Sequence, residues 1–340
     1  MRIGSEWFPL VIGTFALSLI SWMNSVLFNN VILFEIGKTI YFIALFVFLA
    51  VLGLWIKGYV VDKEAITQDL NNLTRVAFSA FIGVILFIMG FFFIVYIGVN
   101  TRIAYALLIL YFVGYAEVLT VNIFTGYKLF TQPLRQEDLN YSVLVPSIAL
   151  SANVILSAPL LPPSLPYISP FYTKVVYFIM LVSVGITFFQ FMFLGSVALL
   201  SHLIFKGYPS VVMIPVGASS VLAINILTFP SYNYLDFLYF PEKVSITLGI
   251  ILFGFELWNL TVGLIIAISR RNLKPNLAVW AYVFPLAISS FSDFLLYEET
   301  TIGFFKYLEL LLSIVIILFY VYSMRITFLT IKDGEKENRR

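Results

Sequence analysis

Glu117 and Glu256 are carboxylates set inside hydrophobic runs of membrane length, where an ionised group is expensive and serves either function or pairing. One chemistry open to them is proton relay or sensing. The other is structural: a carboxyl hydrogen-bonded between helices, holding a neighbour in place. Both lie on even-numbered helices of the pattern set out below, which favours the structural role. A second group consists of small and hydroxylated residues on the odd-numbered helices: Gly13, Thr14, Ser79, Asn153, Gly217, Ser219, Ser220 and Ser289. They are candidates for the lining of an internal pathway, against the alternative of helix–helix packing, where glycine and serine are common. The third feature is Phe284 followed by Pro285 in "NLAVWAYVFPLAISS" (276–290), a bulky ring beside a helix-bending residue.

Other chemistries lack their residues. The chain has no cysteine and a single histidine, His202, so it offers neither a disulfide framework nor a metal cluster. No D-x-x-x-D or D-D-x-x-D occurs, and the carboxylates are scattered. A membrane-embedded transferase working on diphosphates needs clustered acids for Mg²⁺, so no enzyme, cofactor or metal site is expected, and a net charge of +2 gives no reason to expect a nucleic-acid partner.

The surroundings of these residues follow from hydropathy. Of 340 residues, 61% are hydrophobic and 11% charged, against about a quarter charged in soluble domains. Stretches 76–101, 139–173, 175–205 and 207–235 contain no Asp, Glu, Lys or Arg, and each exceeds the ~20 residues a spanning helix needs. The expected fold is an all-α integral membrane protein with ten spans near 7–28, 39–56, 75–98, 103–124, 141–161, 173–200, 208–228, 243–268, 277–297 and 303–324. Residues 1–331 form one transmembrane domain, and 332–340 a charged, solvated, disordered tail. The apolar start is read as a retained first helix.

Basic residues stay on the cytoplasmic side of a membrane. Alternate loops of this arrangement place 15 of the 20 lysines and arginines on the side of both termini, which makes the termini cytoplasmic, most simply at the cell membrane. Arg270, Arg271 and Lys274 form a cluster there that would attract anions to an inner mouth or touch anionic lipid. The proline-rich "PPSLPYISP" (162–170) falls outside and is expected to be extended. Lys306 and Glu309 have the i,i+3 spacing of an interfacial pair.

The odd spans begin at 7, 75, 141, 208 and 277, intervals of 68, 66, 67 and 69 residues, as a repeated helical hairpin would. Pro9, Pro146, Pro159, Pro209, Pro215 and Pro285 all fall in odd spans, and the third carries Gly83 and Gly90 instead. Proline bends a helix and frees a carbonyl, and disrupted backbone is tolerated in a membrane where protein buries it or it lines a cavity. The odd helices are thus expected to be kinked and to form an inner ring, with straight even helices outside against lipid. Such a ring encloses a pathway.

Several segments then resemble one family. "NLAVWAYVFPLAISS" is similar to the ninth-helix signature F-x-x-x-W-W-x-Y-x-F-P of the tellurite-resistance/dicarboxylate transporters, which include malic acid transport proteins and plant slow anion channels. "WFPLVIGTFAL" (7–17) resembles their first helix, "LTRVAFSAFIGVIL" (73–86) the third, "YFVGYAEVLTVNIFTG" (111–126) the fourth, and "PSVVMIPVGASSVLAIN" (209–225) the seventh. Val279 stands where the signature has a second tryptophan, and Phe15 where the first helix has a second glycine. The resemblance implies five hairpins about a pseudo-five-fold axis, a homotrimer in lipid, and one anion pathway per protomer. It also implies that Phe284, beside Pro285, blocks that pathway as a gate; alone, a phenylalanine among 35 would more simply be read as packing.

Two functions share this fold. A channel-like conduit for small inorganic anions needs only weak sites, since an ion must leave as readily as it enters, and no Lys or Arg lies deep in an odd span. A proton-coupled C4-dicarboxylate (malate) transporter needs a stronger site and a coupling group, for which Glu117 and Glu256 are the candidates. Nothing in the residues points to tellurite.

Overall fold

The computed structural model describes residues 3–133, 139–161, 167–205, 209–232, 239–269 and 277–337. Among them, ten helical segments are long and apolar enough to cross a membrane: Ser5–Leu27, Val31–Val61, Leu73–Ile97, Thr101–Thr131, Tyr141–Leu160, Pro170–Ile204, Ser210–Ser231, Glu242–Ser269, Leu277–Thr300 and Gly303–Lys332. All ten expected spans are present. Asparagines open several of them: the side chains of Asn30, Asn72 and Asn100 accept from backbone N–H groups one turn into the helices that follow, which satisfies donors that have no intrahelical partner.

Odd and even spans differ in kind. The most apolar stretch of each odd span is 61–94% buried, that of each even span 22–33%. The even spans are therefore the outer layer, and each is one uninterrupted helix: α2 (Val31–Val61), followed by the short connecting α3 (Glu64–Asn71), then α6 (Thr101–Thr131), α9 (Pro170–Phe205), α11 (Glu242–Ser269) and α13 (Gly303–Glu337). Large rings and aliphatics such as Phe46, Phe130, Phe193 and Trp258 stand exposed on them, as a lipid-facing surface requires.

Odd spans are segmented. A 3-10 turn opens the first, fifth, seventh and ninth, before α1 (Phe8–Leu27), α7 (Val145–Ser151), α10 (Ile214–Thr228) and α12 (Val283–Thr300). The third breaks at Ala80 between α4 (Leu73–Ser79) and α5 (Phe81–Ile97), and the fifth again at Ala152 and Asn153, before α8 (Val154–Leu160). The odd spans are thus broken, as expected, but mostly not by proline: only Pro159, in α8, stands inside a helix beyond its first turn. Pro9, Pro146 and Pro215 occupy the first turn of their α-helices, and Pro285 is the third residue of α12. First-turn N–H groups have no intrahelical acceptor, so proline there sacrifices no hydrogen bond.

Inner spans close on themselves. The first packs on the third, the third on the fifth, the fifth on the seventh, the seventh on the ninth, and the ninth on the first. Each outer helix lies against its own inner partner and the next one round. At one level of the outer layer a polar side chain reaches that inner partner in four of the five pairs. Glu117 accepts from the Gly83 N–H (3.0 Å), Thr187 donates to the Ser147 carbonyl (2.5 Å), Glu256 accepts from Ser220 (2.7 Å), and Ser323 donates to the Val279 carbonyl (3.5 Å). These four are 70, 69 and 67 residues apart, so the repeat seen in hydropathy extends to hydrogen bonding. Two described features differ from expectation. The last helix continues to Glu337, beyond the point where a disordered tail is expected. Lys306 makes no pair with Glu309: its ammonium meets the Leu27 carbonyl and the Phe28 ring, while Glu309 is fully buried. Part of "PPSLPYISP" and the cluster Arg270, Arg271 and Lys274 lie outside the described residues.

Gly83 shows how tightly outer and inner layers meet. A Cβ there would lie 2.5 Å from the Gly114 carbonyl oxygen and 2.7 Å from Glu117 Oε2, and backbone has nowhere to go. Gly83→Ala is expected to cost about 1–3 kcal/mol, read as a lower melting temperature in detergent, whereas Gly126→Ala, whose Cβ would meet nothing within 4 Å, is expected to be neutral.

Candidate functional site

A cavity lies where the five inner spans converge. Its walls are Pro9 of the first, Phe78 and Phe81 of the third, Val145 and Ile148 of the fifth, Ile214 and Gly217 of the seventh, and Trp280, Ala281, Phe284 and Pro285 of the ninth. Positions 9, 78, 145, 214 and 281 are separated by 69, 67, 69 and 67 residues. Each inner span thus contributes at the same register, near its N-terminal end. A second cavity lies further along the same helices, lined by Ile12, Phe15, Leu19, Phe91, Ile155 and Phe291 among others. The two are of similar size, each with a cavity volume of about 20 Å³. Phe284 lines both, and it is the one residue their walls share.

Phe284 does not stand alone. Phe81 meets it edge to face, with centroids 5.7 Å apart and planes at 77°. These two positions are 203 residues apart, three repeat intervals. The full layer at this register is Ile12, Phe81, Ile148, Gly217 and Phe284, again at intervals of 69, 67, 69 and 67. Two aromatic rings face three smaller residues, and glycine leaves its sector open. Trp280 backs the layer: it is fully buried, its indole N–H donates to Thr327 (2.9 Å), and a Cβ on Gly13 would come within 2.6 Å of its ring. Gly13 therefore makes room for Trp280 and lines neither cavity.

The expected lining residues divide in the same way. Gly217 borders the first cavity. Thr14 hydrogen-bonds to the Leu10 carbonyl and to Tyr320 of the tenth span, and Asn153 accepts from Tyr111 of the fourth (3.2 Å). Ser220 and Ser289 both donate to Glu256, at 2.7 and 2.5 Å. Ser79 and Ser219 bond to carbonyls one turn back in their own helices. None of these six borders either cavity. The reason is elementary: a hydroxyl in an apolar bundle must find an acceptor, and the outer helices and the local backbone offer them. The walls are instead made of hydrocarbon and aromatic rings, and no charged side chain is among them. Arg75, the basic residue nearest Phe78 in sequence, is engaged by Asp69 (2.6 Å) and Glu6 (3.4 Å).

Both acids act as ties between layers, Glu256 fully buried and Glu117 half-buried. Glu117 caps the start of α5, where the break at Ala80 leaves the Gly83 N–H without a helical partner, and a carboxylate suits a helix N-terminus. Glu256 takes one serine from the seventh span and one from the ninth, clasping α10 to α12 beside the contact of Gly217 with Pro285. Among the described residues no group of three His, Cys, Asp or Glu is arranged to hold a metal ion.

Sequence reasoning on single motifs did not find Phe81. The signal was available, because stepping back three repeat intervals from Phe284 lands on it.

Comparison with known proteins agrees with this architecture. Residues 2–328 match the family described as voltage-dependent anion channel. A curated relative, "Uncharacterized transporter MJ0762" of Methanocaldococcus jannaschii, is 21% identical over 341 residues, covering 97% of this chain and 95% of its own length.

Proposed function

Because the chain belongs to the voltage-dependent anion channel family, we propose that it passes small inorganic anions such as chloride or nitrate along the axis of its inner ring, with Phe284 and Phe81 as the plug. It is a multi-pass membrane protein of a transport family. The observation that carries the finer reading is the ring of Phe284 shared by both cavities. A hydrophobic constriction excludes ions by size and by dewetting. The edge-to-face contact with Phe81 adds only about 0.5–1.5 kcal/mol to the burial of the ring, and the ring borders open space on two sides. This suits a gate better than a fixed wall.

The apolar lining also bears on the substrate. An anion in this space would meet hydrocarbon, ring edges and helix ends, with no basic partner to hold it. Weak interaction of that kind supports throughput, and a doubly charged malate loses more hydration than such walls return. The proton-coupled dicarboxylate reading is therefore not favoured. The further parts of the proposal are cytoplasmic termini at the cell membrane, five hairpins about a pseudo-five-fold axis, and a homotrimer in which each protomer carries its own pathway. They rest on charge distribution, on the repeat register and on the family resemblance.

Purified protein in liposomes tests the substrate class. Chloride and nitrate efflux through the Phe284→Ala variant is expected to exceed malate efflux by more than about tenfold, a barrier difference of about 1.4 kcal/mol, and to proceed without a proton gradient at equal pH on both sides. Malate efflux that equals chloride and needs the gradient would reverse the assignment.

A further inference from the structure

Asp293 is fully buried, and neither of its carboxyl oxygens has a hydrogen-bond partner. It sits on α12 four residues beyond Ser289 and three beyond Ser290, so all three share one side of that helix. Ser289 donates to Glu256 of the eighth span and Ser290 to Glu309 of the tenth (3.5 Å). Asp293 thus lies on the side of α12 whose serines hold two other buried carboxyls. Glu309 receives Asn24 (3.1 Å) and Ser313 (2.8 Å) on Oε1, while its Oε2 is also without a partner. Asp293 lies about 10 Å before the end of α12 at Thr300 and Glu309 about 9 Å after the start of α13, by helical rise. Both therefore occupy the same level, in the half of the bundle away from the termini.

The elements packed on α12 supply no compensating charge. α1 and α10 contain no titratable side chain, α11 presents Glu256, and α13 presents Glu309. Lys306, one turn from Glu309, turns to the Leu27 carbonyl and to the rings of Phe28 and Tyr297. Three buried carboxyls gathered on one side of α12 in a low-dielectric interior cannot all be ionised without mutual repulsion. A metal ion would relieve it, but these groups do not converge as ligands. A proton needs only one oxygen and its neighbour.

We propose that Glu256, Asp293 and Glu309 together bind exchangeable protons, so that pH sets the charge carried beside the internal space. α12 lines the second cavity with Ala287, Ile288 and Phe291, on the same stretch of helix as the three acids' contacts. Raising the pH removes protons, places negative charge next to that cavity, and opposes entry of an anion. Transport should fall as pH rises.

The site itself is tested without transport, by infrared difference spectra of the purified full chain in lipid vesicles between acidic and alkaline buffer. Wild type is expected to show a protonated-carboxyl band that disappears with rising pH, and Asp293→Asn to diminish that band. Glu309→Gln, also close in shape to the native residue, serves if Asp293→Asn fails to fold, and should diminish the band in the same way. No titrating band in wild type, or an unchanged band in the variants, overturns the proposal. The consequence for transport rests on the functional reading above and is measured separately. In the Phe284→Ala background, chloride flux is expected to drop about tenfold per charge added near the pathway as pH rises, and Asp293→Asn to flatten that profile. If no chloride moves at any pH, the functional reading fails while the infrared result still decides the site; if flux falls equally with Asp293→Asn, the cluster is not the sensor.

Discussion

Replacing Phe81 and Phe284 together by alanine is expected to raise anion flux more than about tenfold over wild type, and well beyond either single substitution. A tenfold change corresponds to about 1.4 kcal/mol of barrier. The two rings meet edge to face in one layer, whose other members, Ile12, Ile148 and Gly217, are smaller. Removing Phe284 leaves Phe81 free to swing into part of the vacated space, and the reverse holds as well. Contacting residues that fill one void couple, so the double variant should exceed the sum of the singles. Thermal stability should fall less than the ~3–5 kcal/mol typical of a core Phe→Ala change, because both rings already border empty space. The measurement is halide efflux from liposomes beside melting temperatures for all four proteins. If Phe284→Ala gives the whole increase and Phe81→Ala adds nothing, Phe81 is a wall and the plug is one ring.

Legibility of this molecule in its sequence divides along physical lines. Spans are legible because lipid demands long apolar helices, and nothing else in the chain mimics them. The long even helices were underestimated at their ends: α2 begins at Val31, eight residues before the expected start, because Glu35 and Lys38 look like loop residues although a helix can carry them in the interfacial region. Which spans are inner was legible from proline and from the spacing of the hairpins. How proline acts was not, since a sequence shows Pro285 but not the 3-10 turn of Leu277–Tyr282 before it.

Side-chain direction was the hardest to read. Thr14, Asn153, Ser220 and Ser289 lie on buried helices with no strongly polar face, so periodicity cannot say which way each points. Hydrogen bonding decides: Tyr320, Tyr111 and Glu256 of the outer helices supply the partners. The same rule explains Glu309. Its i,i+3 spacing from Lys306 suggested a pair, but Asn24, Ser290 and Ser313 offer it buried donors, and Lys306 finds the Leu27 carbonyl at the helix end. Phe81 needed a different argument, the register of one hairpin transferred to another.

Gly217 provides the complementary test, by filling the layer from the opposite side. It occupies the register of Phe81 and Phe284 on the seventh span, and the nearest neighbour of a Cβ there would be Pro285, at 3.6 Å, an ordinary contact. A larger side chain built on that Cβ extends into the first cavity, which Gly217 borders. In the Phe81→Ala/Phe284→Ala background, Gly217→Phe is therefore expected to return flux to near the wild-type level, a drop of more than about tenfold. Ser220→Phe makes the contrast. Ser220 is fully buried and bonded to Glu256, so the ring would break the clasp of α10 to α12 and overpack the interface, at a cost of about 1–3 kcal/mol or more. That variant should lose stability without restoring the block. If a ring at Gly217 leaves the open variant conducting, ions do not pass through the layer of Ile12, Phe81, Ile148, Gly217 and Phe284. If it closes the path, identity and position of the plug separate cleanly: any ring at this register suffices, whichever helix presents it, and the third and ninth spans carry it here only because the seventh carries glycine.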